Sequence, residues 1–384
     1  MLIRTKQIYY VYCIVMALKL SFYFDGASRY LPLRATIILS FFCLLYLIVN
    51  KIKINTHNTA LISFYGFFSF LFIFMWGVSG QMSPPEQLKQ ILEFIFPFLI
   101  VFNVWTLTKN INTHDIETGL LFFIYSSLLL ICTDTIIRLC WPSYAFKGDE
   151  TEYLIELSRD TFYIYKYGSI MYLDSNYVAL HILLIIGLLL NISCKYKSVL
   201  LLSSIILLIL TFSRSAYIGF ISIVTLYYFI RVHKTTKMAL VYIVIVMMIF
   251  LGIWINHSTM NDFITDESFS SKIIIFSSLE KIASIDLINL LFGSGFDIGG
   301  YIFSYKDGGY AHAFIPLVLG ELGVVGLIAM CSVLLLIMIK LRSASLYILA
   351  PYMICGFSLI YPYDSMYILV FTSLLVVKSK HRTC

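Results

Sequence analysis

The sequence predicts an all-α, polytopic membrane protein of about twelve transmembrane helices with two large loops on one side. Three observations predict it. Hydrophobic residues make up 60% of the 384 and charged residues only 12%; the mean hydropathy of +0.89 is far above that of a soluble domain. Apolar runs long enough to cross ~30 Å of hydrocarbon at ~1.5 Å per residue recur along the whole chain. Lysine and arginine concentrate in short stretches between alternate runs, as the positive-inside rule requires.

The first run, near 8–24, follows Arg4 and Lys6 and lacks a small-residue cleavage site, so it reads as a retained helix and not a signal peptide. Further runs lie near 35–50, 59–78, 90–106 and 118–138. After a loop at 139–171 come 172–192, 198–213, 215–231 and 238–255, where only "SRS" divides the second from the third. A second loop, 256–311, precedes 312–339, 344–360 and 364–378. With the N-terminus inside, seven short stretches, from Arg4/Lys6 through Lys195/Lys197 to Lys378/Lys380/Arg382, hold most of the 27 lysines and arginines. Both termini are therefore expected on the cytoplasmic side, and both loops on the other.

Loops longer than ~15 residues are as a rule functional or disordered, and the aromatic and apolar residues in these two argue against disorder. In the second, "SSKIIIFSSLEKIASIDLINLLFGSGFDIGG" has apolar residues at helical spacing ahead of a Gly-rich turn, which predicts a short interfacial helix. The net charge of +6 follows from the topology; no basic cluster sits in a soluble domain, so nucleic acid is not an expected partner. Five of the eight cysteines fall inside apolar runs, and no Cys-x-x-Cys or Cys/His spacing announces a metal site.

Four places could carry chemistry. In "LTFSRSAYIGF", Arg214 stands between two spans at the outer membrane edge, where a guanidinium that never deprotonates can grip a phosphate through two parallel bonds, with Ser213 and Ser215 as extra donors. The bland alternative is an arginine snorkelling to lipid head groups. His312 stands where the second loop enters the membrane, and its near-neutral ionisation suits it to take a proton from a sugar hydroxyl; an interfacial histidine bonded to backbone is the alternative. The run from His312 to Lys340 is too long for one perpendicular span, and Gly320 to Gly323 are placed to break it into a short dipping helix and a crossing helix. Such a break makes Glu321, an acid at membrane depth, tolerable, either as a functional group or as a hydrogen-bonding partner of a neighbouring helix.

The loop at 139–171 mixes aromatic residues, Tyr163 and Tyr165 among them, with Arg159 and several acids, a composition shared by sugar-binding surfaces and by interfacial aromatic belts. Asp174 and Asn176, in "YLDSNYVALHI", open the sixth span, where capping is the ordinary explanation. Asp134 and Arg138, four apart on one helix face, are expected to pair with each other, and His181 to be structural.

These stretches resemble the O-antigen polymerase and ligase superfamily, the Wzy-like and WaaL-like membrane glycosyltransferases. "YLDSNYVA" is similar to that family's Asp-x-Asn-aromatic start of a span, "FSRSAYIGF" to its Ser-Arg-Ser/Thr segment, and "AHAFIPLVLGELGVVG" to its pattern of a histidine, a nine-residue spacer and Gly-x-x-Gly, here His312, Phe314 to Leu322, Gly323 and Gly326. Ala313 stands where the family usually has Asn, Ser or Gln, and Lys272 where it has an arginine early in the second loop. The resemblance covers most of the chain in architecture. It implies a GT-C-like fold in the bacterial inner membrane, with both large loops periplasmic.

The implied activity is metal-independent, inverting glycosyl transfer between undecaprenyl-pyrophosphate-linked oligosaccharides, without cofactor or metal and with a chain-length regulator as a further partner. Arg214 and Lys272, helped by Ser213 and Ser215, would hold the pyrophosphate. His312 would be the base, with Glu321 or Asp174 in reserve, and Arg159, Tyr163, Tyr165 and Asn176 would contact glycan. Within the family the two sizeable loops and the divergent sequence favour a polymerase joining repeat units over a ligase moving the finished glycan to lipid A-core. A twelve-span flippase or transporter is the reading from another class; it should place its ionisable residues near the bilayer midplane, whereas here most lie at the outer edge.

Overall fold

The computed structural model describes residues 2–18, 31–50, 56–78, 84–140, 165, 169–172, 174–231, 267–296, 298–304, 309–357, 359–360 and 362–383. Among these residues every regular element is a helix. The α-helices are α1 (Leu2–Ala17), α2 (Leu31–Val49), α3 (Thr56–Val78), α4 (Pro84–Thr108), α5 (Thr113–Cys140), α6 (Ser175–Asn191), α7 (Lys197–Ile209), α8 (Arg214–Arg231), α9 (Glu267–Ser277), α10 (Leu287–Phe292), α11 (Phe314–Leu341), α12 (Ser343–Gly356) and α13 (Ser365–Thr383). The span expected at 238–255 lies outside the described residues, as does most of the loop at 139–171. In the second loop the segment expected to hold a short helix holds α9, a 3-10 stretch (Ser278–Ser284) and α10.

Three helical stretches among the described residues are long and apolar enough to cross a membrane: Gln90–Thr108, Thr113–Cys140 and Phe314–Leu341. Shorter apolar helices, among them Ser175–Asn191 and Lys197–Ile209, accompany them. The bundle is apolar inside and out. Tyr9, Phe123, Ile124 and Leu183 form its core, while Phe42, Phe70, Leu129, Ile221 and Leu336 are more than half exposed on its outside. A helix that is hydrophobic all round has no water-facing side, so this exterior suits a bilayer and not water.

Hydrogen bonds tie the core where apolar packing has no directionality. Tyr9 Oη lies 2.9 Å from Ser373 Oγ and Tyr12 Oη 2.8 Å from Ser40 Oγ. At one end of the bundle Lys6 pairs with Asp115 at 2.6 Å, and Lys380 Nζ donates to the carbonyl of Thr108 at 2.8 Å. There too Lys197 Nζ donates to the last carbonyls of α6, Leu190 and Ile192. Lys380 also reaches Lys109 O, and Lys197 lies near Arg231, the last residue of α8, so these cations share an end. Cys140, where the first large loop begins, and the first turns of α6 and α8 lie at the other.

Helix α11 is where the fold departs from simple spans. Its backbone is non-helical at Gly323 (φ 64, ψ −168), so a short buried segment, Phe314–Leu322, joins a largely exposed one that runs on to Leu341. The break frees two carbonyls, and the Gly-rich turn after α10 takes them: Ser294 N donates to Gly320 O at 2.9 Å and Gly295 N to Glu321 O at 3.0 Å. The approach is so close that a Cβ on Gly323 would sit 2.4 Å from the Leu291 carbonyl, and one on Gly299 2.1 Å from that of Gly320. From the other side Gln90 clamps the same turn, donating to Phe296 O at 2.9 Å and accepting from Phe296 N at 2.7 Å. Trp76 Nε1 donates to Phe292 O at 2.8 Å, and Phe72, Trp76, Phe94 and Phe296 stack around it. The turn is thus built into the bundle, its backbone polar groups satisfied by the broken helix.

Candidate functional site

The loop-bearing end of the bundle gathers the residues singled out by the sequence. Asp174 has an extended backbone (φ −138, ψ 140), and its two carboxylate oxygens accept from Asn176 N at 2.8 Å and Asn176 Nδ2 at 2.9 Å. That is the geometry of a helix cap, so the expected reserve base and the expected glycan contact hold each other at the start of α6. Ser175 Oγ donates to Thr211 O at 2.8 Å, which brings this cap against the turn that divides α7 from α8.

That turn is held from several sides. Arg138 and Asp134 pair as expected, Nε to Oδ2 at 3.1 Å, with both side chains fully buried. The remaining donors of Arg138 reach Tyr165 O at 2.7 Å and Leu210 O at 3.3 Å. Asp134 Oδ1 accepts from Ser169 Oγ and Ile170 N, each at 2.7 Å. One buried ion pair therefore staples the chain returning from the 139–171 loop to the 210–213 turn. Within the turn Phe212 adopts φ 55, a left-handed conformation that an aromatic residue keeps only where its surroundings impose it. Ser213 N is bonded to Thr211 Oγ1 at 3.3 Å, and Ser213 Oγ lies 3.3 Å from Ser215 Oγ.

Arg214 is then the first residue of α8, exposed at the rim. A cation at a helix N-terminus opposes the macrodipole, at a cost of about 0.3–1 kcal/mol, so helix stability does not explain it. Together with the N–H groups of that first turn it makes a place attractive to anions.

The end of α12 joins this rim to the other candidates. Cys355 Sγ donates to Ser215 O at 3.5 Å, a Cβ on Gly356 would touch Phe314 at 3.3 Å, and Phe357 packs 6.1 Å from Phe276 of α9. His312 stands just ahead of Phe314 with its main chain fixed on both sides: Ala311 N donates to Gly300 O at 2.7 Å and Ile360 N to His312 O at 3.0 Å. Its imidazole is half-buried, and Nδ1 is buried without a hydrogen-bond partner. Burial, with the charge of Lys272 on α9 as the second cause, lowers its pKa from 6.5 to about 4, so the ring is neutral at physiological pH.

Glu321 lies in the short segment of α11, only 3% exposed, and its Oε1 accepts from Tyr310 Oη at 2.9 Å. No family model and no curated sequence matches this chain.

Arg214 with its two serines, Lys272 and His312 are thus gathered round the end of α12, with Asp174 and Asn176 beside the same turn and Glu321 behind His312. Tyr165 is drawn into the staple, its carbonyl on Arg138 and its ring 6.0 Å from Phe212. Arg159 and Tyr163 lie outside the described residues. His181 is bonded to Ser127 at 2.9 Å in the core, the structural place expected for it. Sequence reasoning missed Tyr310. The signal was present, because in extended chain residues two apart project to one face, and Tyr310 precedes His312 by two. Among the described residues no group of three or more His, Cys, Asp or Glu side chains converges.

Proposed function

We propose that the protein is a polytopic enzyme of the bacterial inner membrane, an O-antigen repeat-unit polymerase that joins glycans carried on undecaprenyl pyrophosphate. In this reading both termini are cytoplasmic, about twelve helices span the bilayer, and the loop-bearing end faces the periplasm. The supporting observation is the placing of His312, its Nδ1 buried without a hydrogen-bond partner and the charge of Lys272 near it, at the rim that also carries Arg214. A hydroxyl of the acceptor glycan attacks the anomeric carbon of the donor glycan. The new C–O bond forms as the bond to pyrophosphate breaks, with inversion, and the hydroxyl proton passes to His312.

Undecaprenyl pyrophosphate leaves with the electron pair of the broken bond, and Arg214 and Lys272 stabilise its charge. A bound pyrophosphate also offsets Lys272, the second cause of the lowered pKa of His312, and so strengthens the base in the loaded complex.

The test is deletion of the gene in its host, followed by electrophoresis of the surface lipopolysaccharide. Core bearing a single repeat unit supports the polymerase, because transfer to core survives and only chain growth is lost. Bare core with long polymer on the lipid carrier replaces it by a ligase; bare core with unpolymerised units trapped on the cytoplasmic side replaces it by a flippase.

A further inference from the structure

Tyr310 has no place in the motifs or in the reaction just described. Its ring centroid lies 5.5 Å from that of His312, tilted by 46°, and its edge meets Tyr301 at 5.2 Å. Behind it is Gly300, where a Cβ would fall 2.2 Å from the Tyr310 ring, so the backbone itself forms one wall of the slot. Tyr310 Oη donates to Glu321 Oε1 at 2.9 Å. Glu321 is held in turn through its own carbonyl, which accepts from Gly295 N at the break in α11. A polar group buried at this depth is costly unless it is bonded, and the bond from the tyrosine hydroxyl both satisfies one oxygen of Glu321 and orients the ring that donates it.

We propose that Glu321 is a positioning residue: through its bond to Tyr310 it sets the ring against which the imidazole of His312 rests. The inference rests on the reading of His312 as proton acceptor, and it moves Glu321 from reserve base to support. The main chain of His312 is already clamped at Ala311 N and His312 O, so the ring torsions are the freedom left, and the tilted ring of Tyr310 packs against the imidazole they turn. The break at Gly323 acquires a second role, since the segment it releases carries Glu321 behind the slot.

The test uses the full-length protein in nanodiscs, with Tyr310→Phe, Glu321→Gln and Glu321→Leu beside wild type. Diethyl pyrocarbonate reacts with neutral imidazole, and mass spectrometry of the His312 peptide across a pH series gives both the rate of labelling and its pH midpoint. Glu321→Leu and Tyr310→Phe are expected to label several-fold faster above neutral pH, with the midpoint moved upward from about 4 toward the ordinary 6.5 as the loosened ring meets water. Glu321→Gln keeps an acceptor for the tyrosine hydroxyl and is expected to follow wild type closely.

Profiles that superimpose for all folded variants overturn the proposal, and so does a Gln variant that behaves like Leu. Polymer formation from lipid-linked repeat units extracted from the deletion host is measured in parallel. There Glu321→Leu and Tyr310→Phe should lower kcat about tenfold to a hundredfold with KM unchanged, the scale of a misplaced reacting group. Shifted labelling with undiminished polymer formation keeps the positioning role and sinks His312 as the base.

Discussion

Replacing Gly323 by alanine should unseat the Gly-rich turn from the broken helix. Two costs combine. At φ 64 and ψ −168 the backbone occupies a region that is essentially glycine's alone, and an alanine there is strained by about 1–3 kcal/mol. The added Cβ also meets backbone, 2.4 Å from the Leu291 carbonyl and 2.6 Å from Gly293 N. Because these are not flexible side-chain tips, the turn has to move, and the bonds from Ser294 N to Gly320 O and from Gly295 N to Glu321 O are lost or stretched.

At about 1 kcal/mol for each bond, the destabilisation of the docked turn is about 3–5 kcal/mol in all. Hydrogen exchange followed on the peptide containing Ser294 and Gly295 reads this directly, since the loss of that much protection speeds exchange by about a hundredfold or more. Gly66→Ala is the control: nothing lies within 4 Å of its added Cβ, and an alanine inside α3 should stabilise it by about 0.5–1 kcal/mol. Wild-type exchange at Ser294 and Gly295 in the Gly323 variant would refute the view that the glycine exists to admit this turn.

Arg138→Met removes one member of a fully buried pair and leaves Asp134 uncompensated, so thermal unfolding in detergent should show a loss of about 3–5 kcal/mol, largely relieved by adding Asp134→Leu; single and double variants of equal stability would contradict the staple. The lowered pKa of His312 means that the unfolded chain binds its proton first as pH falls. Its contribution to stability is therefore complete above about 6.5, is lost progressively toward 4 and is constant below that. Melting of His312→Gln against wild type should diverge in that window, and a flat difference would show that the imidazole is not held neutral. Arg214→Ala should abolish polymer formation without changing the amount of protein; chains of normal length in that variant would reject its role at the pyrophosphate.

Much of the helical framework was legible because apolar runs and basic punctuation are local signals. The separation of α7 from α8 at "SRS", the pairing of Asp134 with Arg138, the cap at Asp174 and the broken run after His312 all follow from neighbours within a few residues. Other features were not legible in the same way. The cap at Asp174 is local, but only the structure shows that both of its carboxylate oxygens are taken up by Asn176, one by its N and one by its Nδ2. Likewise nothing local says that Gln90 clamps Phe296, a partner 206 residues away, or that Arg138 reaches Leu210.

The sequence by itself determined that this is an apolar helical chain with charge held to its ends, because hydropathy and charge bias are summed residue by residue and need no knowledge of contacts. It also placed glycines where a helix could break. The tertiary structure alone decided what those breaks are for. A freed carbonyl must find a donor, and that donor came from a distant turn whose arrival put Glu321 behind Tyr310 and Tyr310 against His312. Satisfying buried backbone is a property of the whole assembled bundle, so the arrangement of this site could emerge only with it.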